Sequence, residues 1–583
     1  GVTVRHRDDL DAIQREFREI SGVTAIVYDK TCAAEKRRRR KRCRLPDPAK
    51  RVFINDLVCE GCGDCSKTSN CLSVIPVETE FGRKRAIDQS SCNKDYSCIE
   101  GFCPSFVTVH GGTLKRRKAG DLREDDLPPL PEPALPGLDE PYGILITGVG
   151  GTGVVTVGAL LGMAAHLEGK GCTVLDMTGL AQKGGAVYSH VRISRRPEEI
   201  HAVRIAAGGA RLLLGCDLVV SASEDALSKL QPGRSRAIVN SHETITGDFT
   251  RNPDLAFPGH ALQRSIAGAA GAENTECVDA TRIATGLFGD SIASNLFMLG
   301  YAYQRGLVPL SAEAIERAIT LNGVAVEFNQ NAFRWGRRAA SDLAFVEARA
   351  TPPAATPESH RLSETLDELI ERRITYLTEY QDAAYGRRYA AMVERVRETE
   401  AARVAGSTNL TRTVATALFK LMSYKDEYEV ARLYTQTDFL KRVADQFEGP
   451  YDLNFHLAPP LLGNRDPANG HLRKRAYGPW MLSFFRLLAK LRRLRGTPFD
   501  VFGRSEERKT ERRLIREYEA AIEQILDQLS PVNHAAAVDL AALPLEIRGF
   551  GHIKQANLAR AKAKEAALLA RFRSPVPHAI AAE

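Results

Sequence analysis

The stretch Tyr142-Gly-Ile-Leu-Ile-Thr-Gly-Val-Gly-Gly-Thr-Gly153 joins a short apolar run directly to a glycine-rich turn. Residues 154–167 continue in a helical pattern, and a second apolar run follows at residues 172–176. Strand, glycine-rich turn, helix and strand in this order are typical of a βαβ unit. The sequence therefore predicts a Rossmann-like α/β domain over residues 142–350, with a further strand at residues 217–221.

The glycines of this turn are candidate ligand-binding residues. Glycines between a strand and a helix let backbone N–H groups approach a phosphate, and the helix N-terminus favours its negative charge. The residues concerned are Gly148, Gly150, Gly151 and Gly153. Asp176 lies about 20 residues further on, where a dinucleotide-binding fold places its ribose-binding acid. A dinucleotide site is the first hypothesis, and a tight structural turn is the alternative.

A second glycine-containing loop follows the second predicted strand. It offers two polar side chains and two glycines that permit close backbone approach, namely Gln182, Lys183, Gly184 and Gly185. These four residues are further candidates for cofactor binding, in a shared pocket or at a domain interface. His190, shortly after them, is predicted to be structural rather than an acid or base.

Seven of the 12 cysteines fall between residues 59 and 103. Cys59, Cys62 and Cys65 form a C-x2-C-x2-C triplet, and Cys103 is followed by Pro104. This pattern is typical of a [4Fe–4S] cluster, in which three thiolates come from one loop and the fourth from elsewhere. The sequence predicts that these four cysteines hold one such cluster and that the chain transfers single electrons.

Other roles for the cysteines stay open. Structural zinc usually takes two spaced pairs of ligands, and disulfides need an oxidising compartment; buried thiols without a ligand are a third alternative. The remaining cysteines of the module are Cys71, Cys92 and Cys98. They are one thiolate short of a second cluster, so a second cluster needs a non-cysteine ligand or is absent.

Composition favours a soluble globular protein of several domains. The 583 residues are 44% hydrophobic and 26% charged, with a net charge of +8. The sequence has neither a signal peptide nor an apolar run of about 18 residues, which predicts a cytoplasmic protein without membrane contact. The basic run at residues 36–42 is interpreted as a solvated face, as a docking site for an acidic redox partner or subunit, or, least favoured, as a nucleic-acid contact; no nucleic-acid motif accompanies it.

The predicted architecture is multidomain, α/β plus α. Residues 1–45 suggest the C-terminal remnant of another domain, with a helix over residues 8–20 and a buried strand over residues 22–28. Residues 46–113 form a small ferredoxin-like iron–sulfur module. Residues 114–141 contain six prolines and form a linker, as do residues 351–360 after the α/β domain. Residues 361–583 carry apolar stripes at helical spacing and predict a mostly helical domain.

Together these features resemble the 2-oxoacid:ferredoxin oxidoreductases, in particular the fused indolepyruvate ferredoxin oxidoreductase type. The segments that carry the resemblance are residues 31–37, the cysteine module, the two glycine loops, residues 321–327 and Arg548-Gly-Phe-Gly-His552. The resemblance implies thiamine diphosphate chemistry on a 2-oxoacid, coenzyme A as acyl acceptor and ferredoxin as electron acceptor. It also implies that residues 1–45 are the end of a thiamine-diphosphate-binding domain and that residues 148–153 contact coenzyme A.

The family's thiamine-binding motif is not found in this sequence, so the resemblance implies a C-terminal fragment or one half of a split enzyme, whose thiamine-diphosphate-binding part lies elsewhere. The leading hypothesis is one part of an oligomeric 2-oxoacid:ferredoxin oxidoreductase that prefers an aryl pyruvate such as indolepyruvate. The alternatives are an NAD(P)-linked iron–sulfur oxidoreductase and a non-catalytic electron-relay subunit.

Overall fold

The structure is a computed structural model of the chain, and it describes residues 2–115, 127–179, 185–350, 357–459, 465 and 470–574. Its contacts separate two compact units. One is formed by Gly1–Pro48 with Asn93–Asp95, and the other by Ala49–Cys92 with Tyr96–Glu583. Among the described helices, none is long and apolar enough to cross a membrane.

The smaller unit contains helices α1 (Leu10–Arg18) and α2 (Ala33–Lys41). α1 confirms the helix predicted over residues 8–20, and most of the basic run lies in α2. The buried strand predicted over residues 22–28 is wrong, because Val23 and Val27 are almost fully exposed and no strand forms there. A strand needs a pairing partner, and the described part of this unit contains none.

The cysteine module consists of short strands joined by the cysteine-bearing loops. Its elements are β1 (Lys50–Ile54), α3 (Asp64–Ser69), β2 (Val74–Val77), β3 (Lys84–Ile87), β4 (Phe106–His110) and β5 (Thr113–Leu114). β1 pairs with β4, and β2 pairs with β3, both antiparallel. The ferredoxin-like character predicted for this module stays a prediction.

The α/β domain follows, and its elements alternate along the chain. They are β6 (Tyr142–Val149), α4 (Val154–Leu167), β7 (Gly171–Thr178), β8 (Ala186–Ser194), β9 (Leu212–Gly215), α5 (Leu218–Ser221), α6 (Glu224–Leu227), β10 (Arg236–Asn240), α7 (Gly259–Ala270), β11 (Thr275–Val278), α8 (Ala280–Phe288), α9 (Ser294–Gln304), α10 (Ala312–Asn322), α11 (Val326–Ser341) and α12 (Leu343–Ala350). The described strands form a sheet of order β11-β10-β9-β6-β8-β7. β6, β9, β10 and β11 are parallel, and β8 is antiparallel to both of its neighbours.

The predicted strand and helix around the first glycine loop are confirmed as β6 and α4, and β6 is buried along nearly all its length. The strand predicted at residues 217–221 is wrong. Asp217 instead caps α5, because its carboxylate accepts a hydrogen bond of 2.9 Å from the N–H of Val220. Such a cap satisfies a free N–H in the first turn, and the apolar strand β9 ends two residues earlier.

The last part of the chain is largely helical. Its elements are α13 (Leu366–Tyr380), α14 (Ala383–Arg403), α15 (Asn409–Met422), α16 (Glu427–Thr435), α17 (Phe439–Gln446), β12 (Phe447–Glu448), β13 (Asp452–Leu457), β14 (Arg475–Tyr477), α18 (Met481–Lys490), α19 (Glu506–Gln528), α20 (His534–Ala542) and α21 (Gly551–Arg573). Its strands continue the sheet of the cysteine module in the order β1-β4-β13-β14, with Phe455 opposite Val107. The domain boundaries predicted from the sequence stay predictions, but a single sheet joins the cysteine module to the helical part.

The chain is therefore a mixed α/β protein with a large helical content and a domain built on a mainly parallel sheet. The described part of the predicted proline-rich linker, residues 127–141, has no helix or strand and runs along α9 and α11. Arg337 of α11, for example, pairs with Glu132 at 2.8 Å.

Candidate functional site

The four predicted cluster ligands lie near one another in the structure. Cys59 and Cys62 belong to the loop before α3, Cys65 to α3 itself and Cys103 to the loop before β4. Burial, and next the charge of Cys103, raises the pKa of the Cys59, Cys62 and Cys65 thiols above the ordinary value. Each of the three thiols of the triplet is therefore close enough to Cys103 for their charges to interact.

The loop of the triplet adopts a conformation that requires glycine. Gly61 has a φ of +68°, and a Cβ at this position would lie 2.2 Å from the carbonyl oxygen of Arg83. The N–H of Gly61 points at the Cys59 sulfur, at 3.4 Å. A Cβ on Gly101, in the loop that carries Cys103, would lie 2.8 Å from Cys65 Cα. The two loops thus approach each other as closely as backbone allows, and one N–H faces a thiol.

These residues fit an iron–sulfur cluster. Thiolates buried side by side repel one another, and iron ions relieve this repulsion by binding them. Among the described side chains, no three His, Cys, Asp or Glu groups converge on a point that one metal ion could fill. Zinc holds its thiolates at about 2.3 Å from one centre, whereas the thiolates of a [4Fe–4S] cluster bind different irons. Thiols are the donors that hold such a cluster, and the cluster itself stays a prediction.

The other cysteines of the module surround the same small core. Cys98 is buried, and its charge is among those that raise the pKa of Cys65 after burial and the charges of Cys103 and Cys59. Cys71 and Cys92 are half-buried and pack against this core, which includes Ile54. The structure thus gathers six of the seven cysteines, all but Cys62, around one core, and a second cluster stays a prediction.

The segment Arg548-Gly-Phe-Gly-His552 of the helical part covers the triplet loop. A Cβ on Gly549 would lie 3.4 Å from Cys62 Cβ, and the centre of the His552 ring lies 4.7 Å from that of Phe102, with the two rings tilted. Arg548 pairs with Asp254 of the α/β domain at 2.5 Å. The sequence predicted no role for this segment. The two glycines of this segment flank an aromatic residue, and this pattern could have indicated that its backbone approaches another part of the chain closely.

Buried lysines surround Glu60, the residue that follows Cys59. Lys425 lies 3.2 Å from its carboxylate. Burial alone would raise the pKa of Glu60, but Lys425, Lys84 and other lysines lower it to about 2. Burial lowers the pKa of Lys84 to about 8 and that of Lys420 to about 7. The Glu60 carboxylate beside the triplet is therefore kept ionised by neighbouring lysines.

The first glycine loop connects the carboxyl end of β6 to α4. Gly153 caps α4 with a φ of +102°, and no side chain caps this helix. Gly151 and Thr152 are exposed, while the carbonyl of Thr152 accepts a hydrogen bond of 3.1 Å from the Asn295 amide. The exposed helix N-terminus presents N–H groups that suit a phosphate.

The position of this loop in the sheet also favours ligand binding. The chain leaves β6 on one side toward β7, whereas β9, β10 and β11 extend the sheet on the other. β6 and β9 therefore flank the point where the strand order reverses. In open α/β sheets, ligands bind outside the carboxyl ends of the strands at such a point.

The second glycine loop is only partly described. Gln182, Lys183 and Gly184 lie outside the described residues. The carbonyl of Gly185 accepts a hydrogen bond of 2.8 Å from the N–H of Gly150, so the two loops meet at this point.

The ribose-binding role predicted for Asp176 does not fit the strand order. It requires the strand that carries Asp176 to neighbour β6, as in the order 3-2-1-4-5-6 of the dinucleotide-binding fold. Here β8 lies between β6 and β7, so Asp176 stands on an edge strand about 10 Å from β6 at a strand spacing of about 4.8 Å. The assignment of Asp176 to a ribose is therefore corrected.

His190 has the surroundings of a structural side chain. It is fully buried in β8, and its Nδ1 accepts a hydrogen bond of 3.2 Å from the N–H of Ile205. Burial lowers its pKa, which keeps the ring neutral. These surroundings agree with the structural role predicted for it.

Two segments of the chain match known sequence families. Residues 143–339 match the family described as pyruvate ferredoxin/flavodoxin oxidoreductase. Residues 366–567 match a family of unknown function, DUF6537.

Characterised relatives cover the first of these segments. The indolepyruvate oxidoreductase subunit IorB of Pyrococcus horikoshii is 28% identical over 210 residues, which are 35% of this chain and 97% of the relative. IorB of Thermococcus kodakarensis is 26% identical over 205 residues, again 35% and 97%. A solved structure, the pyruvate oxidoreductase subunit PORC of Thermotoga maritima, covers 34% of this chain and 97% of its own at 20% identity and a TM-score of 0.26. Residues 143–339 are therefore similar to the pyruvate ferredoxin/flavodoxin oxidoreductase family and to the IorB subunits.

Proposed function

We propose that this chain is the electron-transferring and coenzyme A-binding part of a 2-oxoacid:ferredoxin oxidoreductase. The observation that carries the proposal is that Cys59, Cys62 and Cys65 each lie close enough to Cys103 for their charges to interact. The family match of residues 143–339 and the names of the IorB relatives support it. Those names also make indolepyruvate or another aryl pyruvate the proposed substrate.

In this proposal the chain's residues bind, shield and orient. The four thiolates hold a [4Fe–4S] cluster, which supplies one-electron transfer when bound. The segment of residues 548–552 keeps water away from the triplet loop. The exposed N–H groups after Gly150 bind the phosphate groups of coenzyme A. A partner polypeptide or domain holds thiamine diphosphate and the 2-oxoacid, and ferredoxin accepts the electrons.

The proposal is tested by iron and acid-labile sulfide analysis of anaerobically purified protein, with EPR after dithionite reduction. We expect roughly four irons per chain and one S = 1/2 signal, as for a single [4Fe–4S] cluster. Roughly eight irons with coupled signals would mean that the remaining cysteines hold a second cluster. Zinc in place of iron would overturn the redox function.

Replacement of Gly151 tests the coenzyme A side of the proposal. Gly151 has a φ of +87°, which a β-branched residue rarely adopts, so Gly151→Val should displace the exposed N–H groups of the loop. We expect at least tenfold weaker coenzyme A binding by calorimetry and an unchanged cluster spectrum.

Gly169→Val is the matched control. Gly169 has a φ of +69°, has no atom within 4 Å of its Cβ position, as is also true of Gly151, and follows the opposite end of α4. Equal coenzyme A affinity in the two variants would remove the loop from the proposed binding site.

A further inference from the structure

We propose that Lys474 and Arg85 set the reduction potential of the iron–sulfur cluster, and that the segment of residues 366–567 positions Lys474 beside the cluster. The inference rests on the proposed function, because it requires a cluster on the four cysteines. It assigns a role to the segment that matches a family of unknown function.

Lys474 reaches the cysteine loops from the strand segment that leads into β14. Its Nζ donates hydrogen bonds to the carbonyl oxygens of Ile99, at 2.8 Å, and Gly101, at 2.5 Å. The ammonium also lies 4.5 Å from the centre of the Phe106 ring. Because the Cβ position of Gly101 touches Cys65, the ammonium is separated from the thiols by one layer of backbone.

Within the described part of the chain, no ion pair cancels the charge of Lys474: no carboxylate there lies within 4 Å of its Nζ, and the acid whose charge reaches it, Glu100, is exposed. Burial lowers the pKa of Lys474, and the charges of Cys103, Cys65 and Cys98 oppose this effect. The charge of the lysine is therefore close enough to interact with these thiols.

Arg85 places a second cation, which is buried, against the triplet loop. Its Nη2 donates to the carbonyl oxygen of Pro253 at 2.9 Å and lies 3.7 Å from the Cβ position of Gly63, between Cys62 and Cys65. Its guanidinium stacks on Phe249 at 4.6 Å. Arg85 is 1% exposed, and within the described part of the chain it forms no ion pair.

Uncancelled positive charge near a cluster favours its reduced form. Reduction adds one electron, and hence one negative charge, to the cluster and its thiolates. In a protein interior this charge interacts strongly with a cation a few ångströms away. Charge, hydrogen bonds and solvent exposure are what set the potential of a given cluster type. Both cations are held by carbonyl oxygens rather than by carboxylates, so no neighbouring negative charge pairs with them there and they raise the potential.

The test compares Lys474→Gln with Arg475→Gln in an EPR-monitored redox titration of the anaerobic full chain. Glutamine at position 474 keeps an N–H donor and loses the charge. Arg475 is the next residue and is exposed, so the same loss of charge there is screened by solvent. At a fixed potential we expect Lys474→Gln to lower the ratio of reduced to oxidised cluster about tenfold, which is 59 mV for one electron, and Arg475→Gln to leave it unchanged.

Iron and sulfide are measured first in every sample, so that two failures can be told apart. Wild-type protein without a cluster overturns the proposed function itself. Lys474→Gln with full iron and sulfide and an unchanged potential overturns this inference alone. If Lys474→Gln loses the cluster, Arg85→Gln is titrated instead and should also be harder to reduce. Loss of the cluster in both variants counts against the inference, because the cations would then serve assembly and not the potential.

Discussion

Cys103→Ala is expected to abolish the [4Fe–4S] spectrum of the anaerobically purified chain. Cys103 is the thiol whose charge acts on all three cysteines of the triplet, and a [4Fe–4S] cluster of this motif is held by four thiolates. Iron and sulfide should fall far below the wild-type content, the visible absorbance should bleach, and the EPR signal of the reduced cluster should disappear.

Cys277→Ala is the control for this loss. Cys277 is an exposed thiol of β11 in the α/β domain, so its removal should leave iron, sulfide and spectrum unchanged. If Cys103→Ala retained full iron and sulfide, another residue would complete the ligand set, and Cys98, which lies beside Cys65, would be the first to replace. The assignment of Cys103 would then be wrong.

The features that could be predicted from the sequence are those that depend on residues close together along the chain. The cysteine spacing and the junction of an apolar run with four glycines are properties of adjacent residues, and the structure has β6, the glycine turn and α4 at the predicted places. The errors lie where apolar residues alone were interpreted as strands. Residues 22–28 have no strand to pair with, and at residues 217–221 the aspartate that caps α5 decides the structure.

The surroundings of the predicted cluster could not be derived from local pattern. Lys474 contacts a carbonyl 373 residues away along the chain, and β13 pairs with β4 across a similar separation. Likewise, β8 is inserted between β6 and β7 by pairing that no residue spacing indicates. Such contacts join residues that are far apart along the chain. They depend on which surfaces remain uncovered after the local elements form, and no residue spacing in a single sequence indicates which surfaces will pair.

The second large effect is expected from Gly336→Ala, which should destabilise the α/β domain. α9 and α11 cross with their backbones in contact: a Cβ on Gly336 would lie 1.9 Å from the carbonyl oxygen of Phe297, and a Cβ on Gly300 equally close to that of Phe333. Helices this close have no room for a methyl group. Overpacking of a tight core costs about 1–3 kcal/mol, and here the obstacle is backbone. We expect a clearly lower midpoint of thermal unfolding followed by circular dichroism.

Gly268→Ala, in α7, separates packing from helix propensity. Its Cβ position has no atom within 4 Å, so alanine there should be neutral or should stabilise by about 0.5–1 kcal/mol. An unfolding midpoint of Gly336→Ala equal to that of Gly268→Ala would contradict the close crossing of the two helices.

The crossing of α9 and α11 also affects the first glycine loop. α9 begins with Ser294 and Asn295, and the Asn295 amide holds the Thr152 carbonyl of that loop. Gly336→Ala should therefore weaken coenzyme A binding as well, although Gly336 itself lies outside the proposed site.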